Sequence, residues 1–527
     1  MNPPALDALL LHRAAREPDR PLYAPVELPA PVTTGEFAGL AGRAAAMLAA
    51  HGVGRGDRVA VWAENGLAWL VLLAAAAWRG AALVTLHPGL AEAELTGALA
   101  RSRPRLLFVA ERLRDRDGPA TAARAVAALP VDARPTACHR LAADLGPTAM
   151  AALPGWNDPV PAPAGDPDAV LNIQFTSGTT GPAKMVPLSA RNLVANAGWT
   201  AEAAGLRDTD RIASPLPLAH AAGLSSGAIL ALVTGALWVS GRRFRTEAVL
   251  DGIVRYRCTV LQAVPTMAGM LVEQVLREPD RWDLSSLRVG FLGGAHCPPP
   301  LVERTARVLG LHRVAVVYGQ TEAGPTISVD PGDGDCGLPG TTVGRIVPGL
   351  DAVVVTPGTT RTVPVGEPGE LLVRGESVTA GYLDDPAATR AALTGDGWLR
   401  TGDLGTLDAD RVLTLTGRAK ELIIRGGENV SPAEVEAALL DEPGVGQACV
   451  LGVPSARWGE EVGALVVPAA GAVVDPDRLL AAAARRLARH KVPTLLRVVP
   501  DLPMLPSGKV DRRAAAPLLH AAGTGER

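Results

Sequence analysis

The stretch that most constrains this chain reads Phe175-Thr176-Ser177-Gly178-Thr179-Thr180-Gly181-Pro182-Ala183-Lys184. Before it, Asn172, Ile173, Gln174 and Phe175 alternate polar with apolar, the period of a half-buried strand. After it, Ser189 stands as a helix N-cap ahead of Ala190, Arg191, Asn192, Leu193 and Val194. Strand, glycine- and hydroxyl-rich loop, then helix is an order that makes backbone N–H groups and hydroxyls converge on an anion. Glycines allow close approach to phosphate oxygens, hydroxyls donate hydrogen bonds, and Lys184 adds positive charge. This is not a Walker loop, because Ala183 precedes the lysine and Met185 follows it. Most short Gly/Ser/Thr runs are surface loops, but ten positions in this order point to phosphate, and so to a nucleotide.

The 527 residues exceed one ordinary core, so two or more lobes are expected. Apolar residues at 48% and charged ones at 20% give a soluble globular balance, and aromatics at 3% leave the core mostly to Ala, Val and Leu. With 51 basic and 54 acidic residues the net charge is −3, which offers no footprint for nucleic acid or an anionic membrane. The apolar run at 67–78 is too short to span a bilayer, and the N-terminal Met1-Asn2-Pro3-Pro4 shows no signal-peptide pattern. Five dispersed cysteines form neither a disulfide framework nor a C-x-x-C metal site, so a reduced, cytoplasmic protein is expected.

Residues 1–110 read as α/β units: a helix at 43–51, a strand at 58–62, a buried helix at 67–78, strands at 82–86 and 106–109. Residues 111–168, rich in Pro, Ala, Arg and Asp, read as a surface segment. His220 ends an apolar run beside Ala221, Ala222 and Gly223, and is either structural or a pocket wall. Strands at 287–292 and 314–318 end in Gly293-Gly294-Ala295-His296-Cys297 and Tyr318-Gly319-Gln320-Thr321-Glu322. Ligands of open parallel sheets bind beyond such strand ends. Tyr318 offers a stacking face, Thr321 a hydroxyl and Glu322 a carboxylate for a metal ion. Downstream, short strands at 371–374, 398–403 and 412–415 suggest a β lobe, and Asp403 is either a turn former or a ribose ligand. A compact α+β unit begins after Gly417-Arg418-Ala419-Lys420. It contains a hairpin turn at Gly426-Gly427, a capping box at Ser431-Pro432-Ala433-Glu434 and a helix from Asp475-Pro476 to about Lys491. Pro506-Ser507-Gly508-Lys509 stands near the end.

Together these segments resemble the adenylate-forming superfamily of acyl-CoA synthetases, adenylation domains and luciferases, over essentially the whole chain. The most specific parts are residues 175–184, 318–322, Thr401-Gly402-Asp403, Gly417-Arg418-Ala419-Lys420-Glu421 and Pro506-Ser507-Gly508-Lys509. The resemblance implies an α/β fold: a large N-terminal domain of α/β subdomains plus a β-rich lobe (1–416), a hinge (417–420) and a small mobile α+β domain (421–527). It also implies a two-step reaction, in which a carboxylate attacks the α-phosphorus of ATP to give acyl-adenylate and pyrophosphate, and a thiol then attacks the acyl carbon. The implied roles place Thr176, Ser177, Gly178, Thr179, Thr180, Gly181 and Lys184 on the phosphates. Gly294, Ala295, Tyr318, Gly319 and Gln320 lie around adenine, Thr321 reaches the α-phosphate, and Glu322 with Thr179 binds Mg²⁺. Asp403 takes the ribose hydroxyls with Arg418 nearby. Lys509 bridges the carboxylate and α-phosphate in the first half-reaction, which makes Lys509, Thr179, Glu322 and His220 the implied catalytic set.

Lys420 matches the family's hinge, whose rotation exchanges Lys509 for the Gly426, Gly427 and Glu428 loop at a CoA channel. The acyl pocket is implied at His220, Ala221, Gly223, Gly294, His296, Gly319, Pro325 and Thr326, with His296 facing either a polar or anionic group of the acid or the adenine side. The lysine hinge, the Gly427-Glu428-Asn429-Val430-Ser431-Pro432 run and an end soon after Lys509 resemble free-standing acyl- and aryl-CoA ligases. A ligase acting on a small carboxylic acid, a fatty or aryl acid, is therefore expected. The alternatives are an acyl-AMP ligase loading a separate acyl carrier protein, or an inactive nucleotide-binding relative. Monomer and homodimer both stay open. Ala219 stands where an aromatic residue is frequent, which suggests a roomy pocket, and Arg411 stands where a turn glycine is usual.

Overall fold

A computed structural model describes residues 3–114, 116–142, 146, 149–176, 183–337, 340–426, 428–455, 457–469, 471–504 and 510–520. The chain divides into two compact units, one of Met1–Ala352 with Val373–Leu399, the other of Val353–Leu372 with Arg400–Arg527. The expected boundary at 417–420 falls within the second.

Two large sheets and the small ribbon of Arg112–Leu113 with Arg116–Asp117 lie in the first unit. The smaller of the two large sheets runs in the order Lys184–Ser189, Val170–Thr176, Ala82–Leu86, Arg58–Trp62, Leu106–Ala110, Ala137–Leu141. Its strands are parallel except for the Lys184–Ser189 edge, which pairs antiparallel with Val170–Thr176. The helix Leu67–Arg79 is buried almost all round and stops at Gly80, whose φ of 66° is the left-handed C-cap that glycine adopts without strain. Each fully buried leucine there contributes about 2 kcal/mol. Trp62 and Trp69 are fully buried, so tryptophan fills core space that composition assigned to small residues.

The larger sheet has nine strands, in the order Arg345–Ile346, Thr326–Asp330, Arg313–Gly319, Val289–Gly293, Val260–Ala263, Arg211–Ala213, Leu237–Ser240, Pro21–Pro25, Val32–Thr33. Pairing is parallel from Arg313–Gly319 to Pro21–Pro25, with antiparallel strands added at both edges.

In the second unit Leu399–Leu407 and Leu413–Arg418 form an antiparallel hairpin. A further sheet joins Glu428–Val430, Ile423–Arg425, Gly459–Pro468 and Val445–Ser455, with Leu495–Val498 parallel to Gly459–Pro468. Helices Pro432–Leu440 and Pro476–Arg486 bury Val435, Leu439, Leu479 and Ala483 in its core.

Several local expectations change. Asn172 and Gln174 are as buried as their apolar neighbours, so this strand is covered on both faces; Asn172 donates to Leu83 O and Gln174 to Asn172 Oδ1, both at 2.9 Å. A strand, Lys184–Ser189, stands between the loop and its helix, so Lys184 starts a hairpin arm and the N-terminus of the helix lies a full strand away. Ser189 does cap that helix, exchanging bonds with Asn192. Residues 111–168 are more than surface, since Ala137–Leu141 extends the smaller sheet and Gly118–Ala127 is a helix capped by Asp117. Ser431 precedes its helix but donates to Thr416 O, so the expected capping box is not made. Asp475 caps as expected, and its helix ends at Arg486.

Candidate active site

At one edge of the smaller sheet Lys184 faces Thr176 across the hairpin, and its ammonium lies 4.4 Å from the centroid of the Tyr382 ring. A cation over a phenol face is attracted by the ring quadrupole. The Tyr382 hydroxyl donates to Glu322 Oε1 at 2.8 Å, so one aromatic side chain carries the lysine on its face and the carboxylate on its tip. Burial first, and then the Glu322 charge, push the phenol pKa up, which keeps it a neutral donor. Residues 377–383 sew this cluster together. Ser377 Oγ donates to Ala323 O at 2.7 Å, Thr379 N to Glu322 O at 2.9 Å, Thr379 Oγ1 to Pro187 O at 2.7 Å and Leu383 N to Met185 O at 2.9 Å.

Glu322 sits in the short helical turn Thr321–Ala323 that follows the carboxyl end of Arg313–Gly319, and it is only 9% exposed. Tyr318 is buried at that strand end. A Cβ on Gly319 would meet Pro325 O at 1.8 Å, so only glycine lets the returning chain close the turn. Gln320 holds a buried side-chain nitrogen with no partner among the described residues, a donor open to a ligand. Asn196 fixes the next segment by accepting from Thr326 N at 3.0 Å and donating to Thr326 O at 2.7 Å, while Ser225 Oγ donates to Gly324 O at 3.1 Å. Gly294, Ala295 and His296 are exposed beyond the neighbouring strand end. Cys297 beside it is buried, its thiol pushed up to about 12 and so unreactive.

His220 opens the π-helical segment Ala222–Ile229, flanked by buried Ala219 and Ala221. Gly223 is obligatory, since a Cβ there would lie 2.2 Å from Pro217 O. The His220 ring stands 5.4 Å from that of His87, tilted by 49°. Burial, with Arg114 second, lowers the pKa of His87.

In the second unit Asp403 and Arg418 face each other across the hairpin, and Arg418 Nε donates to Asp403 Oδ1 at 2.7 Å. Asp403 is buried; Lys420, Gly426 and Glu428 are exposed, and Gly426 N donates to Trp458 O at 2.7 Å.

Residues 10–383 match the AMP-binding enzyme family and residues 434–509 match the AMP-binding enzyme C-terminal domain. The chain belongs to the AMP-binding enzyme family. It is an acyl-CoA synthetase of the adenylate-forming superfamily, an ATP-dependent acid–CoA ligase that uses ATP, CoA and a small acid as substrates. Similar proteins include the sulfoacetate–CoA ligase of Cupriavidus necator, 37% identical over 96% of both chains, and the mitochondrial medium-chain acyl-CoA ligase of Danio rerio, 31% identical over 96% of this chain and 87% of that one. Among solved structures, ATP-bound MatB from Rhodopseudomonas palustris superposes with a TM-score of 0.84 at 28% identity, covering 97% of this chain and 98% of its own. The o-succinylbenzoate CoA synthetase of Bacillus subtilis, in complex with its acyl-adenylate, gives 0.80 at 28%, covering 98% and 99%. No described helix is long and apolar enough to cross a membrane.

Ser177, Gly178, Thr179, Thr180, Gly181, Gly427 and Lys509 lie outside the described residues. Tyr382 and His87 were not among the residues singled out by sequence. His87 follows the carboxyl end of the parallel strand Ala82–Leu86, a position that strand-end reasoning reaches. Tyr382 lies 60 residues from its carboxylate, and nothing local marks it.

Proposed function

We propose that adenylation takes place around Lys184, Tyr318, Thr321 and Glu322, with Lys184 neutralising phosphate charge and Glu322 holding Mg²⁺. The observation that carries this reading is the Lys184–Tyr382–Glu322 chain, which holds a cation and a carboxylate at fixed places beside a strand end. Mg²⁺ fits the donor set. Oε1 of Glu322 is occupied by a neutral phenol, which leaves the carboxylate's charge uncancelled and its other oxygen for the metal. The described residues contain no cluster of three or more His, Cys, Asp or Glu that could hold a metal, as befits an ion bound mainly by phosphate and water. When bound, the ion offsets charge on the phosphates.

Thr176, Ser177, Gly178, Thr179, Thr180 and Gly181 complete the phosphate loop in this reading, with Thr179 a second metal ligand. Gly294, Ala295, Gly319 and Gln320 frame the adenine, while Asp403 binds ribose hydroxyls, oriented by Arg418. His220, Ala221, Gly223, His296, Pro325 and Thr326 shape the acyl pocket. Lys509 orients the acid and the α-phosphate, Lys420 is the pivot between residues 1–416 and 421–527, and Gly426, Gly427 and Glu428 line the CoA route. In-line transfer needs such positioning and charge compensation more than covalent catalysis.

Pyrophosphate release with Mg-ATP across fatty, aryl and dicarboxylic acids, each with and without CoA, tests the proposal and identifies the acid. Turnover requiring both acid and CoA is expected. Adenylation without transfer to CoA would point to a carrier-protein acceptor. Lys509→Ala is expected to abolish pyrophosphate release while leaving thioester formation from supplied acyl-adenylate; equal loss of both halves would remove Lys509 and the pivot from the scheme.

A further inference from the structure

Behind the π-helical wall Ala222–Ile229, three buried polar atoms face one point and bond nothing among the described residues: the Ser214 hydroxyl, the Trp238 indole N–H and the Gln262 side-chain carbonyl. Their residues are 1%, 1% and 0% exposed. Gly227 marks the point. A methyl group on it would have these three atoms as its nearest neighbours, at 3.3, 3.3 and 3.6 Å. Three adjacent strands of the larger sheet aim them, for Ser214 follows Arg211–Ala213, Trp238 lies on Leu237–Ser240 and Gln262 on Val260–Ala263. Gln262 cannot turn its amide around, because its Nε2 donates to Ser226 O. π-Helical turns are rare and mark functional places, and here the widened turn sets a residue without a side chain over the polar atoms.

Buried polar groups in native proteins are nearly always bonded, to protein or to ordered water. The donor pattern selects what bonds these three. The indole only donates, the Gln262 carbonyl only accepts, and the serine does either. A carboxylate or ketone oxygen would meet the lone pairs of Gln262, and an ammonium would meet the indole N–H. One oxygen that both accepts and donates satisfies all three.

We propose that this niche is a hydroxyl-binding site, filled by a single oxygen that accepts from Trp238, donates to Gln262 and completes its set with Ser214. Two sources carry that chemistry: a water sealed in on folding, or an alcohol on the acyl chain of the acid. The niche adjoins the proposed acyl wall, because Ser226 Oγ lies 3.4 Å from Thr326 Oγ1. The second source rests on that reading of the pocket; the first does not.

Thermal melts of Gly227→Ala and Ser214→Ala decide occupancy by sign. Gly227 has no left-handed φ, but the added methyl would stand a tight 3.3 Å from Ser214 Oγ and Trp238 Nε1, so the Ser214→Ala melt carries the sign and the Gly227→Ala melt accompanies it. In an empty niche Ser214→Ala stabilises by removing an unbonded hydroxyl. In an occupied niche both destabilise, since the methyl evicts the oxygen and the lost serine hydroxyl deprives it of a partner. A fall in Tm of about 2 °C or more in each variant is expected, and a Tm that fails to fall in either overturns the proposal. This arm is independent of ligase turnover, so failure of the pocket reading leaves it intact. The source then follows from kcat/KM for acid pairs differing by one hydroxyl on the acyl chain. A bound water predicts the same ratio in wild type and Gly227→Ala. An acid hydroxyl predicts at least about a tenfold preference in wild type that Gly227→Ala removes.

Discussion

Glu322 and Asp403 are both buried carboxylates that accept a short side-chain bond, yet the partners in those bonds differ in charge. Glu322 accepts from a neutral phenol at 2.8 Å; Asp403 accepts from a guanidinium at 2.7 Å. The phenol orients its carboxylate without cancelling the charge, so Glu322 can still attract a divalent cation. The guanidinium cancels the charge of Asp403 and leaves an oriented acceptor suited to uncharged hydroxyls. Both carboxylates follow a glycine or hydroxyl residue at the end of or within a strand, and sequence reads Glu322 as a metal ligand and Asp403 as a turn former or ribose ligand from their motifs alone. The donor opposite each tells them apart.

The comparison breaks most visibly at Glu322. Glu322→Gln keeps the size and the bond from Tyr382 but removes the charge, and on the proposed reading pyrophosphate release falls by about 10²–10³; release at the wild-type rate would remove Glu322 from the metal. Tyr382→Phe keeps the ring under Lys184 and removes only the hydroxyl. A hydrogen bond to a charged group is worth about 1.5–3 kcal/mol, or roughly 10–100-fold. That loss is expected in kcat/KM for Mg-ATP, together with a higher Mg²⁺ requirement, and an unchanged Mg²⁺ dependence would count against an orienting role for the phenol. On the proposed reading, Asp403→Asn removes the negative charge opposite Arg418 and weakens ribose binding. KM for ATP is expected to rise about tenfold with kcat little changed, and discrimination between ATP and its 2′-deoxy analogue should narrow.

Elements with strong periodicity were legible from sequence, the strands Arg58–Trp62 and Ala82–Leu86 to the residue. So were the residues that end strands, because a chain-local motif marks where a parallel strand stops and a ligand can begin. What escaped depends on distant partners. The alternation at Asn172 and Gln174 reads as one wet face, but sideways hydrogen bonds within the sheet allow both faces to be buried. Ser431 has the spacing of a capping box, yet the Thr416 carbonyl takes its hydroxyl. Tyr382 becomes visible only when residues 377–383 are laid between the Lys184 strand and the Glu322 turn.

The smallest effect belongs to the turn that joins the two strands bearing Asp403 and Arg418. Arg411 has a φ of 63°, a left-handed conformation that costs an L-residue roughly 1–2 kcal/mol. Asp408 shapes the turn through the backbone: its Oδ1 accepts from Asp410 N and Val412 N, both at 2.9 Å, and Arg411 N donates to Asp408 O. Arg411→Gly relieves the strain and gives back part of the gain through the freer unfolded chain, for a net stabilisation of about 0.5–1 kcal/mol. The denaturant midpoint is expected to rise, with KM for ATP unchanged. A higher midpoint accompanied by a shifted KM would mean that the turn sets the register of the Asp403–Arg418 pair. The contrast with Glu322 would then rest on hairpin geometry as well as on the charge of the donor.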